Sequence, residues 1–321
     1  MARFNPTLNT WSLAAAPPLA AGESAVGAGN GKVFVAAGFL GGTTVTTTLE
    51  IYDIASNTWT YGASLPAGVE AAAGAVLNGK FYVIGGDDFT VPVRSTYIYD
   101  IAAGTWSTGP QIPDTGGRTN TYATTANGLV YVFGGATTGS FTAIDTLLAY
   151  NPGTNSWTTL ASAGTGGHGN YGAISPYGAG KLLATDGADT TFVAVATTHI
   201  YDIASNTWSA GPTMQTPRAG HAQGTLPDGR VLVTNGLNTS STTTTTSEQL
   251  PPVVPCTTAT PTATSTLPPT STATRTATAP PLNTATVTST VPPGSTATRT
   301  VAPSSTATAR PTNTVGPSAT P

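Results

Sequence analysis

An all-β fold built from one repeated four-stranded unit is predicted by three features of the chain. An eight-residue phrase, Tyr-Asp-Ile-Ala-Ser-Asn-Thr-Trp, stands letter for letter at residues 52–59 and 201–208, with looser copies at 4–11, 99–106 and 150–157. All five tryptophans (Trp11, Trp59, Trp106, Trp157, Trp208) end a copy, at intervals of 48, 47, 51 and 51 residues. A period in that range marks stacked supersecondary units. The composition, with 37 Gly, 26 Pro and 8% charged residues, suits many short strands joined by turns.

Each period carries the same pieces in order. A small-residue segment leads to a tight turn: Asn30-Gly31, Asn78-Gly79, Asn127-Gly128 or Asp228-Gly229. Asn-Gly and Asp-Gly favour the positive φ angles of primed hairpins. A basic residue follows the turn at Lys32, Lys80, Lys181 and Arg230, but Leu129 takes that place in the third unit. Next come apolar runs ending in glycine, at 33–38, 81–86, 130–135, 182–187 and 231–236. Unbroken runs of this length read as strands covered on both faces. A Thr-rich loop then leads to a third strand, and the phrase turns it into a fourth. Two residues before each Trp stand Asn9, Asn57, Gly104, Asn155 and Asn206, the residue types that enter the left-handed region cheaply. Asn5, Asp53, Asp100, Asn151 and Asp202 can accept bonds from turn N–H groups. The phrase is therefore a structural hairpin.

Four strands per period, a glycine pair after the second (Tyr82-Val83-Ile84-Gly85-Gly86 and Tyr131-Val132-Phe133-Gly134-Gly135) and the Tyr…Trp phrase across the last two resemble the Kelch repeat of β-propellers. The resemblance covers about residues 4–250. It departs from the pattern at Ala37-Gly38, Asp186-Gly187 and Asn235-Gly236. It implies a Kelch-type β-propeller over 1–250, with repeats near 12–59, 60–106, 107–157, 158–208 and 209–250 plus 1–11. Tyr52, Tyr99, Tyr150, Tyr201 and the tryptophans are its structural positions. An indole hides more surface than one thin sheet can cover, so an adjacent blade must cover it. The fifth unit reaches a third strand near Glu248 and then meets Pro251-Pro252 where the phrase should stand. Five four-stranded blades are expected, with the N-terminal strand closing the last. The rival is an incomplete ring, because such propellers usually have six or seven blades; self-association follows in that case.

Composition changes sharply at Leu250. Residues 251–321 are almost entirely Thr, Pro, Ala and Ser, and such a segment cannot bury a core. It is expected to be a disordered tail, either unmodified or a glycosylated, mucin-like stalk. Residues 1–250 carry 8 basic and 14 acidic side chains, a balance of −6. No Lys/Arg cluster marks a nucleic-acid footprint and no stretch has the length of a membrane span, so neither partner is expected. The single Cys256 leaves no intrachain disulfide, and three scattered histidines suggest no metal centre. No cofactor is expected. The apolar core of a signal peptide is missing near Met1, although the stalk-like tail suggests an extracellular or cell-surface protein.

Strand parity points to a binding face. Turns after strands one and three are nearly uniform, whereas the connections after strands two and four vary, and irregular loops on a rigid scaffold carry binding. That face offers Asp87, Asp88, Phe89, Arg94, Arg118, Asn120, His168, Asn170, Asp186, Asp189, Arg218 and His221 as ligand-binding candidates. Asp87-Asp88 could supply oxygen ligands or an acid–base pair, or simply cap a turn. Asp186 and Asp189 occupy the equivalent place two units on. Arg218 with His221 could hold a carboxylate, or bond neighbouring blades. Arg94 and Arg118 add cations. No nucleophile elbow, zincin motif or phosphate loop occurs. The expected function is an extracellular module that binds a glycan or protein through this face. The resemblance adds two alternatives: a carbohydrate-active enzyme, such as a sialic acid mutarotase-like or lyase Kelch protein, and a structural spacer.

Overall fold

The computed structural model describes residues 1–137, 143–164, 171–189 and 191–253. His168, Asn170, Cys256 and nearly all of the Thr/Pro-rich tail lie outside the described residues. Those described form strands and turns without a helix.

The five sheets are five blades in a ring. The first has strands Ala25–Gly29, Lys32–Ala36, Leu49–Asp53 and Thr58–Tyr61, all antiparallel. The second has Ala73–Leu77, Lys80–Ile84, Thr96–Asp100 and Thr105–Thr108, and the third Tyr122–Ala126, Leu129–Phe133, Thr146–Asn151 and Ser156–Ser162. The fourth has Ala173–Pro176, Lys181–Thr185, Thr198–Asp202 and Thr207–Ala210. The fifth stops at three: Ala222–Thr225, Val231–Thr234 and Ser247–Leu250.

The N-terminal hairpin, Ala2–Asn5 with Thr10–Leu13, is a separate two-stranded sheet. It stands beside the outer strand of the fifth blade, where Gln249 Nε2 donates to Asn9 Oδ1 (3.4 Å) and both elements line one cleft. The expected closure by the N-terminal strand therefore runs through side chains, not through a ladder. Trp11 consequently stays 46% exposed, whereas the other four tryptophans are half-buried.

The repeated phrase folds as its residue types require. Asn9, Asn57, Gly104, Asn155 and Asn206 all have φ between 51° and 70°. Asp53 Oδ1 accepts from the N–H groups of Ala55 and Ser56, and the other four copies repeat the motif. The phrase tyrosines are the buried anchors, each at most 4% exposed. Tyr52, Tyr150 and Tyr201 donate to Asn57, Asn155 and Asn206. The indoles lie 5.0–5.1 Å from these rings and donate Nε1 to the preceding unit: Trp59 to Ala15, Trp106 to Ala63, Trp157 to Pro110 and Trp208 to Ala161. Covering surface thus comes mainly from the blade before, and the tyrosine is hidden more deeply than the tryptophan.

The basic residue after the first turn has a partner across the sheet. Lys32 pairs with Asp53 (2.8 Å), Lys80 with Asp100 (3.0 Å) and Lys181 with Asp202. In the third blade Leu129 and Asn151 replace both members, so neither charge is stranded. In the fifth, Arg230 turns to Asp228 and Gln249, and only Gly229 of the Asp228-Gly229 pair has positive φ. The glycine pair also has a steric cause. A Cβ on Gly86 (φ 89°) would lie 2.5 Å from the carbonyl of Glu70, whereas the preceding position accepts Ala37 or Asn235 in the left-handed region.

Candidate functional site

Immediately before the first strand of every blade, the backbone enters the left-handed region at an equivalent residue. These are Glu23 (φ 52°), Ala71 (52°), Asn120 (52°), Tyr171 (55°) and Gly220 (63°). Four of the five are not glycine, and such a conformation costs about 1–3 kcal/mol each and tends to gather at functional sites. Short bridges fix the approach: the residue before four of the stations pairs with the loop after strand two, Gly22 with Phe39, Glu70 with Asp87, Thr119 with Ala136 and Ala219 with Leu237. Stations are also linked to one another, Ala71 N–H donating to Glu23 and Gly220 N–H to Tyr171. The result is one backbone shape presented five times with five different side chains.

The stations surround the mouth of the central channel. A cavity of about 640 Å³ is lined by all five, by inner-strand residues such as Val26 and Tyr122, and by His221. A second cavity of about 410 Å³ adjoins it, sharing Glu23, Asn120 and Tyr171 and adding Glu70, Asp87, Phe89, Val91 and Pro92.

Three carboxyl groups converge there. Burial, then the charges of Asp87 and Glu23, then a side-chain hydrogen bond with Asp87, push Glu70 up to about 7. Glu23 is open to solvent yet walled by the surrounding sheets; that burial, followed by the Asp87 charge, raises it too. No salt bridge reaches Glu23, Glu70 or Asp87 among the described residues. Asp87 accepts from the Thr119 hydroxyl (2.6 Å) and the Phe89 N–H (2.9 Å). Phe89 itself has φ 74° and stacks on Phe39 at 5.5 Å. Burial, then Tyr171 and Glu23, lift the Tyr122 phenol well above its ordinary range, so it remains a neutral donor.

The arginines singled out from sequence are committed elsewhere. Arg118 is fully buried and donates to Asp114 Oδ2 (2.8 Å), to the carbonyls of Gly134 and Thr146 and to Thr146 Oγ1. Arg218 is 1% exposed and donates to Glu248 (3.0 Å), to the Asn235 and Thr246 carbonyls and to Thr246 Oγ1. Arg94 donates twice to the Ile112 carbonyl. A cationic ligand face at Arg118 and Arg218 is therefore corrected: buried donors spent on carboxylates and backbone carbonyls brace the loops, while the half-buried Arg94 is turned to Ile112.

The remaining candidates divide similarly. Asp88 and Asp189 are caps of their own loops, accepting from Thr90 and Val91 and from Thr191 and Val193. Asp186 is buried and accepts from Thr197 (2.6 Å) and His199 (3.0 Å). His221 is buried and shares a 2.6 Å hydrogen bond with Thr185. Burial and then the Arg218 charge push it down to about 4, so it is neutral at physiological pH. Asp87, Phe89 and Asn120 do reach the mouth, joined by Glu23, Glu70, Tyr122 and Tyr171, which sequence reasoning missed. The only sequence signal for those four was their place just before or within strand one. Among the described residues no cluster of His, Cys, Asp and Glu is suited to a metal ion, and no helix is long and apolar enough to cross a membrane.

A ring of four-stranded antiparallel sheets around a channel, with its variable side chains at one mouth, defines a β-propeller. Residues 21–66 and 71–113 each match the family model described as Kelch motif. A solved structure titled "Structure of YjhT" is similar to this chain at a TM-score of 0.57 and 14% identity, over 74% of this chain and 97% of that one. No curated protein matches. The fold is a β-propeller that carries Kelch motifs over residues 21–66 and 71–113, and that fold supports a ligand- or protein-binding module in general terms.

Proposed function

We propose that the chain is a recognition module whose ligand, a glycan or a polypeptide, seats over the loop-face mouth of the channel. One observation carries this reading: five stations share a strained backbone and differ in side chain, as Glu, Ala, Asn, Tyr and Gly. A purely structural position would be expected to repeat its residue, as the phrase does. The unpaired carboxyls support it, since charges gathered without a counter-charge reduce stability and are retained where a ligand uses them. The Thr/Pro-rich composition of 251–321 supports display on a stalk outside a cell.

The test is a glycan array and a peptide-display library screened with the wild-type chain and with Ala71→Arg, which fills the mouth without adding backbone strain. Ligands lost in the variant support the proposal. Ligands held equally by both proteins would place recognition elsewhere and overturn it.

A second reading, carbohydrate chemistry, is favoured by Glu70 alone. A carboxyl whose pKa is raised to about 7 and that is hydrogen-bonded to a second carboxyl has the protonation state of a general acid. Turnover of a sugar panel that disappears in Glu70→Gln would establish it; an inert wild-type protein removes it.

A further inference from the structure

The tips of the loops after strand two carry a second pattern. Leu40, Phe89, Val91, Val193 and Leu237 are each more than a third exposed, and they belong to the loops of blades one, two, four and five. The loops of blades one, two and five bridge to the residue just before a station, which sets their tips outside the mouth. An apolar rim therefore surrounds a mouth that holds three carboxyls. Soluble surfaces rarely gather apolar residues this way without a partner to cover them.

The smaller cavity shows what such a partner offers. At about 410 Å³ it has room for one long side chain, not for a folded element. Its lining combines the apolar Phe89, Val91 and Pro92 with the carboxyls of Glu23, Glu70 and Asp87, and Tyr171 and Asn120 also line it. An aliphatic stem against the apolar residues with a cation at the carboxyls matches both kinds of lining, which is how lysine and arginine divide themselves between media. The Phe39–Phe89 stack adds an aromatic rim beside the cation's path. A carboxylate or phosphate ligand would meet only like-signed charge here.

Resting on the reading above, we infer that this face docks a polypeptide that presents a lysine or arginine between apolar residues. The cation enters the Glu23–Glu70–Asp87 cavity and the flanking apolar side chains settle on the loop-tip rim. The two contributions are separable: the cavity selects charge, and the rim supplies buried area.

The full-length chain is titrated with a fluorescein-labelled Gly-Leu-Lys-Leu-Gly peptide and with its Nε-acetyl-lysine counterpart. We expect the lysine peptide to bind about tenfold more tightly, the loss on acetylation reflecting one desolvated ion pair. Glu23→Gln with Glu70→Gln should remove that preference, and Val91→Ser should weaken both peptides by roughly threefold, as loss of apolar contact requires. These side chains are exposed or half-buried, so folding is expected to persist, and an unchanged circular-dichroism spectrum confirms it. Equal affinity for the two peptides, or a preference that survives the glutamine substitutions, overturns the inference. Failure of both peptides beside an uncharged glycan that Ala71→Arg excludes would sink this inference while leaving the recognition reading intact.

Discussion

The two ends of the propeller use carboxyl groups for opposite purposes. At the turn end, Asp53, Asp100 and Asp202 each face a lysine and accept turn N–H groups, and all three are held below the ordinary range. Asp202 is drawn down to about 2, first by Lys181 and then by Ser205. At the loop end, Glu23 and Glu70 are pushed up by burial and by other carboxyls. Carboxylates of the first kind stabilise the fold whenever they are ionised. Those of the second kind oppose it under the same conditions. The difference separates scaffold from site more cleanly than position does: Asp88, a loop cap beside Asp87, is held low like the turn-end groups.

The largest expected effect comes from a place where the loop end does pair its charges, as it also does at Arg218 and Glu248. Arg118→Ala strands Asp114 and two carbonyls inside the protein, and should cost about 3–5 kcal/mol in denaturant unfolding. A loss near zero would mean that Arg118 does not brace the loops.

Glu70 should produce the next effect, with a definite sign. Its folded pKa lies above the unfolded 4.5, so the folded state binds the proton more tightly. Stability is then highest below about pH 4.5 and falls as pH rises to about 7, by roughly 1 kcal/mol once its solvent exposure is allowed for. His221, held at about 4 in the folded protein, acts in the opposite sense up to pH 6.5, so the Glu70 contribution is read as the difference between wild-type and Glu70→Gln melting curves from pH 4.5 to 8, which should fall. The turn end runs the other way: Asp202 loses its contribution only as pH drops from 3.8 towards about 2. A wild-type minus Glu70→Gln difference that rises through pH 6 contradicts the contrast between the ends.

The smallest effect tests whether the turn-end pair can be transplanted. Leu129→Lys with Asn151→Asp rebuilds it in the third blade and should stabilise by roughly 0.2–1 kcal/mol, the range of exposed ion pairs. Each single substitution should be neutral or slightly harmful, so a double-mutant cycle isolates the pair. No coupling would show that the other blades owe little to theirs.

The legible part of this molecule was the part made of local rules. Asn57 two residues before Trp59, and Asp53 at the start of its turn, declare their geometry within a few positions and repeat it. The stations do not. Glu, Ala and Tyr resist the left-handed region, so nothing in Glu23, Ala71 or Tyr171 announces the conformation they adopt. The residues that make the mouth are also about fifty apart and differ from unit to unit, so aligning the repeats hides them. Arg218 braces the loops, one of the two roles its sequence allowed, and Arg118 does the same; what decides is depth, which is set by neighbours that sequence spacing does not reveal. The departures from the glycine pair at Ala37 and Asn235 became intelligible only with φ values: both sit in the left-handed region that Asn and Ala can enter, whereas in blade two a Cβ on Gly85 would lie 2.5 Å from the Arg118 carbonyl.

The fifth blade's missing rung affects how the ring comes apart. Apolar clusters join blade one to two, two to three, three to four and four to five, but among the described residues none joins five to one. A ring fastened at four of its five joints has a preferred place to open, much as a zip opens from its unsewn end. Amide exchange should therefore run fastest in Ala25–Gly29 and Ala222–Thr225 and slowest in Lys80–Ile84 and Leu129–Phe133. The channel mouth spans that joint, with Glu23 on one side and Gly220 on the other. Whatever seats there bridges the gap, and a bound ligand becomes the fifth fastening.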